Sequence, residues 1–281
     1  MRVVSSIAEA RASIGEVRRA GRGIGFVATM GFLHAGHLSL IDEARHRSGF
    51  VVMSIFVNPL QFAPTEDLAR YPRDPEGDAS KAQSRGVDLL FTPGEDEMYG
   101  GTRRVEVVPR GLDARWEGAM RPGHFAGVLT VVAKLFHIVQ PDVAVFGQKD
   151  IQQATLIRAM VRDLDFPIEI VVAPTAREPD GLAMSSRNGY LSVDERRRAT
   201  LLSGALLAVR DAFRKGELNV TRLTEHGQRI LATDPAIAID YFALADGATL
   251  EPAVQASDST VAMIAARFGK TRLIDNLILG A

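Results

Sequence analysis

Two histidines three residues apart, His34 and His37, stand in the run Thr29-Met30-Gly31-Phe32-Leu33-His34-Ala35-Gly36-His37, directly after a short apolar segment at 24–28. Imidazole N–H groups so placed can hydrogen-bond oxygens that gain negative charge during phosphoryl transfer. Gly36 between them lets a phosphate or a base approach the main chain. A His pair at this spacing is by itself better explained as a helix-surface coincidence or a half-built metal site. Zinc would need at least a third protein ligand, and no nearby Cys, third His or HExxH spacing supplies one. A strand end, a glycine and a helix start in register favour phosphate instead, because helix N-termini at the carboxyl edge of an α/β sheet attract anions.

Three further clusters could act with the first. Phe146-Gly147-Gln148-Lys149-Asp150-Ile151-Gln152-Gln153 again follows an apolar run and opens a helix. Lys149 is a compact cation suited to phosphate and Asp150 a candidate N-cap; taken alone they read better as a solvated lysine and a capping aspartate. Met184-Ser185-Ser186-Arg187-Asn188 offers two hydroxyls and a guanidinium, which suit phosphate oxygens or a plain linker. Asn58-Pro59-Leu60-Gln61-Phe62 offers neutral amides that could hold hydroxyls or a carboxylate, or order a turn. Two nucleotide motifs fail on context. Gly23-Ile24-Gly25-Phe26-Val27-Ala28 lies before and within a strand rather than after one, and Gly269-Lys270-Thr271 lacks the first P-loop glycine, since position 264 is Ile.

Hydrophobic periodicity indicates the elements that must position these groups. Ser5 and Ser6 cap a helix that runs to about Ala20 and is stopped by Gly21. A second helix runs from His34 to about Arg47, with Leu38, Ile41 and Ala44 on one face and Gly49 as its C-cap residue. The runs 50–57, 87–91, 143–146 and 168–172 are continuously apolar, the pattern of parallel strands covered by helices on both faces. Helical stretches at 125–139 and 152–163 lie between them. This alternation predicts an α/β fold, a doubly wound parallel-sheet (Rossmann-like) domain over residues 1–175. From 174 to 188 the period disappears, and the capping box Ser192-Val193-Asp194-Glu195 then opens a long helix to about Lys215. A further helix to about Ala232 precedes three β-like segments at 236–244, 260–267 and 272–279, which have no helices between them and so predict antiparallel pairing. Residues 176–281 are therefore expected to form a smaller α+β domain behind a polar hinge.

Composition excludes several classes of function. Among 281 residues Lys plus Arg is 33 and Asp plus Glu is 34, a net charge of −1, which argues against a nucleic-acid partner. No cysteine is present, which removes disulfides, thiolate metal sites and thioester chemistry. The longest apolar stretch, 50–57, is strand-sized, whereas a membrane-spanning helix needs ~20 residues. Glu9 and Glu16 speak against a secretory or transit segment, so the sequon Asn219-Val220-Thr221 carries no weight. A cytoplasmic protein with no membrane partner is expected.

Taken together, TMGFLHAGH (29–37), FVNPLQF (56–62), YPRD (71–74), RPGHFAGVLTVVAKL (121–135), FGQKDIQQ (146–153), PTAREPDGLAMSSRNGYL (174–191) and TRLIDN (271–276) resemble the pantoate–β-alanine ligase family, the pantothenate synthetases. That family belongs to the HxGH nucleotidylyltransferase superfamily, and the resemblance spans essentially the whole chain. It implies that Met30, Gly31, Phe32, Leu33, His34, Ala35, Gly36 and His37 line an ATP site, with both histidines on phosphates and His37 as proton donor. It implies further that Gly147, Gln148, Lys149 and Asp150 contact nucleotide, with Lys149 on the phosphates, and that Ala176 contacts adenine through its main chain. Met184, Ser185, Ser186 and Arg187 would form a phosphate-clamping loop. Gln61 and Gln153 would hold pantoate, Gln61 also lying near β-alanine, with Asn58 and Arg121 as additional substrate-site residues.

The chain departs from the family pattern at Ala28, where Pro is usual, at Gln148, where Glu is usual, at Ile151, where an aromatic is common, and at Ala176, where Val is common. The implied reaction is adenylation of pantoate by ATP followed by attack of β-alanine on the pantoyl adenylate. Mg²⁺ would be bound mainly through the ATP phosphates, the C-terminal domain would act as a lid, and a homodimer is expected. Another nucleotidylyltransferase of the superfamily is the main alternative, and a catalytically silent nucleotide-binding module a second.

Overall fold

The structure is a computed structural model and describes residues 1–64 and 66–281. It packs as two compact units, Met1–Gly147 with Leu156–Ala173, and Gln148–Thr155 with Pro174–Ala281. A single break at 175/176 would have left 148–155 in the first unit; in the structure this segment packs with the second.

In the first unit the elements are β1 (Arg2–Val4), α1 (Ile7–Arg19), β2 (Ile24–Thr29), α2 (Ala35–Arg47), β3 (Phe50–Ile55), α3 (Pro75–Ser84), β4 (Leu89–Phe91), α4 (Glu95–Tyr99), α5 (Trp116–Met120), α6 (His124–Val139), β5 (Val143–Gly147), α7 (Ile151–Asp163, which begins in the second unit) and β6 (Glu169–Ala173). The strands form one parallel sheet in the order β1-β4-β3-β2-β5-β6. Side chains alternate between two apolar layers. Ile24, Phe26, Val52, Leu89, Phe91, Ala144 and Phe146 pack on one face with α1, α6 and the later turns of α7. Val27, Val51, Met53, Leu90, Val143 and Val145 pack on the other with α2 and α3. Both faces are covered, which is why the strands appear in sequence as unbroken apolar runs.

The second unit adds α8 (Val193–Ala199), α9 (Leu201–Arg214) and α10 (Val220–Leu231), followed by β7 (Ala238–Ala245), β8 (Val261–Phe268) and β9 (Thr271–Ile278). These three strands pair antiparallel in the order β7-β8-β9. Ala262, Ile264, Ala266 and Phe268 of β8 pack against Leu202, Leu206 and Val209 of α9. No helix among the described residues is long and apolar enough to cross a membrane.

Several local expectations need correction. The helix expected from Ser192 to Lys215 is two, because the Thr200 hydroxyl donates to the Arg197 carbonyl at 2.8 Å, the acceptor a continuous helix would give to residue 201. α2 is capped not by Gly49 but by Ser48, in extended conformation, whose hydroxyl donates to Ala44 O at 2.7 Å. β1, α3, α4 and α5 have no counterpart among the elements expected from the sequence.

Candidate active site

The order of the parallel sheet reverses between β2 and β5, so the loop that follows β2 starts in the crevice where such sheets bind ligands. That loop is the histidine run. Gly31 (φ +85°) and Phe32 (φ +53°) both adopt left-handed backbone. For Phe32 this costs roughly 1–3 kcal/mol and needs support from the surroundings. The support is Asp78 on α3, only 1% exposed, whose two carboxylate oxygens accept the Phe32 and Leu33 N–H groups at 2.7 Å each. Thr29 Oγ1 accepts from Gly31 N–H at 3.3 Å and donates to Ser54 O at 2.9 Å. Asp78 was missed in the sequence because nothing local links position 78 to position 32.

His34 is the N-cap of α2, and His37 is its third residue. His34 Nδ1 accepts from Gly36 N–H at 3.2 Å and His37 Nδ1 from His34 N–H at 3.4 Å, a capping box made of imidazoles. A ring whose Nδ1 accepts a main-chain N–H is assigned its proton on Nε2, so this geometry leaves Nε2 of each histidine as the nitrogen able to donate. The rings lie 4.0 Å apart, tilted by 34°. Gly36, His37 and Met30 are half-buried, while Phe32 and Ala35 are exposed.

The amide cluster adjoins this turn. Gln61 Nε2 lies 3.1 Å from Met30 Sδ, and Gln61 Oε1 accepts from Asn58 Nδ2 at 3.0 Å. Asn58 is 1% exposed and is engaged within the protein: its Oδ1 takes the Tyr99 hydroxyl at 2.8 Å and Leu60 N–H at 3.3 Å, and its Nδ2 also donates to Gly127 O at 3.1 Å. Burial raises the Tyr99 phenol, so it stays a protonated donor. Asn58 therefore orients Gln61 from behind. Arg121 is likewise engaged, in a two-pronged pair with Glu66 at 2.6 and 2.8 Å. Burial alone would raise the Glu66 carboxyl, but the hydrogen bonds and charge of Arg121 outweigh it and hold the group below its ordinary value. His124 ties this pair to the site: Nδ1 meets Gln61 O at 2.8 Å and Nε2 meets Arg121 Nη1 at 2.9 Å. Burial, and then the Arg121 charge, push His124 down to about 4. It is thus neutral, with Nδ1–H donating to the Gln61 carbonyl and Nε2 accepting from Arg121.

In the second unit Gln148, Lys149 and Asp150 form a 3-10 turn that runs straight into α7, with Gln153 half-buried in that helix's first turn. Lys149 Nζ lies 3.8 Å from Asp150 Oδ2. The Gln148 side chain donates to Asn276 Oδ1 at 3.3 Å, a bond that a carboxylate at this position could not make. The stretch 174–190 is no structureless linker. Arg177 and Ala183 pair as an antiparallel bridge, Met184 N–H donates to Ala176 O at 2.9 Å, and Ser185 caps the 3-10 turn Ser186–Tyr190 by accepting from Arg187 N–H at 3.2 Å. Neither formal nucleotide motif forms a loop after a parallel strand: 23–28 leads into and lies within β2, and 269–271 turns the β8–β9 hairpin.

Comparison with known proteins agrees with this architecture. The family model described as pantoate-beta-alanine ligase matches residues 2–278. A pantothenate synthetase of Thermus thermophilus is 51% identical over 279 residues, covering 99% of each chain. One of Trichlorobacter lovleyi is 49% identical over 280 residues, covering 100% of this chain and 99% of its own. A crystal structure of the pantothenate synthetase from Thermus thermophilus superposes with a TM-score of 0.96 over 100% of both chains at 50% identity. A Francisella tularensis pantoate-beta-alanine ligase, crystallised with "Beta-gamma ATP and Beta-alanine", gives 0.83 over 100% of this chain and 98% of its own at 32% identity. The chain spans nearly the full length of these relatives and belongs to the pantoate–β-alanine ligase family.

Proposed function

We propose that the protein joins pantoate to β-alanine at the expense of ATP, by way of a pantoyl adenylate. In the first step a pantoate carboxylate oxygen attacks the α-phosphorus of ATP and the bond to pyrophosphate breaks. In the second the neutral amine of β-alanine attacks the acyl carbon, gives up a proton, and AMP leaves. No enzyme nucleophile is needed; catalysis rests on positioning and on stabilising charge.

The observation that carries this reading is the pair of histidines capping the start of α2 through their Nδ1 atoms, beside the point where the sheet order reverses. His34 and His37 would donate to phosphate oxygens, with His37 as the proton donor. The main chain of Met30–His37 and of Gly147–Asp150 would line the nucleotide, with the Lys149 ammonium on its phosphates. Ala176 would meet adenine, and Met184–Arg187 would close over the phosphates as part of a C-terminal lid. Gln61 and Gln153 would hold pantoate, Gln61 reaching toward β-alanine, with Asn58 and Arg121 supporting Gln61. Mg²⁺ on the ATP phosphates would offset their charge while keeping most of its own waters; among the described residues no three His, Cys, Asp or Glu side chains gather to hold a cation. The enzyme would act in the cytoplasm as a homodimer, as the family resemblance implies. The pairing of Arg121 with Glu66 weighs against a nucleotidylyltransferase with a phosphate-bearing acceptor, because that guanidinium is already engaged by a carboxylate.

The test is exchange of labelled pyrophosphate into ATP without β-alanine. Exchange that depends on pantoate supports the adenylate. Its absence at saturating Mg²⁺ and pantoate, together with no single-turnover AMP formation when β-alanine is added, would overturn it.

A further inference from the structure

The motif TRLIDN at 271–276 has no part in the chemistry above, yet its last two residues form a buried polar cluster in the second unit. Asn276 is 2% exposed and lies on β9, an edge strand of the antiparallel sheet. Its Nδ2 group donates to two successive main-chain carbonyls, Gln148 O and Lys149 O, at 2.9 Å each, and its Oδ1 accepts from Gln148 Nε2 at 3.3 Å. Both amide hydrogens and the carbonyl are thus committed to one turn of chain more than 120 residues away in sequence.

Asn276 is itself held. Its N–H donates to Asp275 Oδ1 at 2.7 Å, and its carbonyl accepts from Arg177 Nη2 at 3.2 Å. Arg177 clasps the Asp275 carboxylate with both terminal nitrogens, at 2.7 and 2.9 Å, and reaches Gly181 O at 3.0 Å. The Asp275 side chain is wholly buried. A solvent-exposed edge strand would leave its outward N–H and C=O to water; here Asp275 and Arg177 occupy them and fix the direction of the Asn276 amide.

We infer that Asn276, braced by the Asp275–Arg177 pair, is a positioning residue that sets the Gln148–Lys149 main chain and so determines where the Lys149 ammonium meets the nucleotide phosphates. Lys149 is a four-carbon stem with a point charge at its end, and its reach is only as well defined as the main chain that carries it. A displacement of about 1 Å in such a group can cost on the order of 100-fold in rate. The inference rests on the proposed role of Lys149 in ATP binding.

A double-mutant cycle on the full-length enzyme tests it, read as kcat/KM for ATP in pantoate-dependent pyrophosphate exchange, with KM for pantoate as the internal control. Asn276→Asp keeps the shape and removes both donors; Asn276→Ala serves if a buried carboxylate there prevents folding. Either variant is expected to lose about 10- to 100-fold in kcat/KM for ATP, with little change in KM for pantoate. Made on top of Lys149→Met, the same change is expected to cost less than about threefold, because residues that act through one another are not additive. Equal losses in both backgrounds would mean that Asn276 does not act through the Lys149 side chain, and would overturn the inference while leaving the lysine role intact. No loss in Lys149→Met alone would overturn the lysine role, and the inference with it.

Discussion

Replacing Asp78 by Asn probes the support beneath the histidine turn. The carboxylate accepts two consecutive main-chain N–H groups at 2.7 Å while 1% exposed, and above it Phe32 is held at φ +53°. Hydrogen bonds to a charged group contribute about 1.5–3 kcal/mol each. Asparagine keeps one acceptor, loses the charge, and turns an N–H donor toward the second main-chain N–H. One charge-assisted bond is lost and the other weakened, and relief of the buried charge offsets part of this, so a net loss of about 2 kcal/mol is expected. The expected result is a lower urea midpoint with an unchanged slope. The strained turn should relax and carry the His34 cap with it, so kcat/KM for ATP should fall by about 10- to 100-fold. A variant whose ATP kinetics match the parent would refute the reasoning, because the turn would then hold its shape without the carboxylate.

Three further outcomes follow from the same geometry. His124, held near 4 in the folded protein against 6.5 ordinarily, binds its proton more readily when unfolded. The stability it supports is complete above about pH 6.5 and is lost as pH falls toward 4, at about 1.4 kcal/mol per pH unit; His124→Asn, measured by urea unfolding across that window, should flatten the slope. Gly127→Ala would drive a Cβ into the Leu60 carbonyl and to 2.7 Å from Gln61 N, so the Gln61 turn must shift, and KM for pantoate should rise several-fold more than KM for ATP in steady-state assays. Arg177→Met would leave the Asp275 carboxylate buried and unpaired, at a cost of about 3–5 kcal/mol. Burial already raises Asp275 in the folded state, so the variant should be most stable at low pH and lose stability as pH rises above the ordinary carboxyl range, with urea midpoints at pH 5 and pH 8 as the check.

Much of the scaffold was legible because parallel strands buried on both faces leave no choice but unbroken apolar runs, and β3 and β5 lie where such runs stand. Ser6 and Ser192 likewise mark helix starts through capping boxes that both form. β1 escaped notice because three residues with only Val4 buried carry no pattern. α3 was overlooked for its weak apolar face, although Asp74 capping a helix with Pro75 at its first position was a usable signal. At the site, the position of His34 at a helix start was readable, but its pairing with His37 as a reciprocal cap was not, since Ser, Thr, Asn and Asp are the usual caps. Asp78 and Asn276 were invisible as partners of 32–33 and 148–149. Each contact joins segments that only the completed fold brings together.

The allocation of residues 148–155 to the second unit has a consequence for inheritance. The chain passes from one unit to the other three times, at 147/148, 155/156 and 173/174, so neither unit is a contiguous stretch of gene. A recombination joint placed at 174 would transplant β9 and its Asn276 without the turn that Asn276 holds, and leave the recipient's Lys149 turn facing a foreign strand. Exchange of the C-terminal part between relatives should therefore keep the turn in place only where the incoming strand carries an asparagine at 276, because two of its three bonds go to main-chain carbonyls that every recipient has and only the third needs the Gln148 side chain.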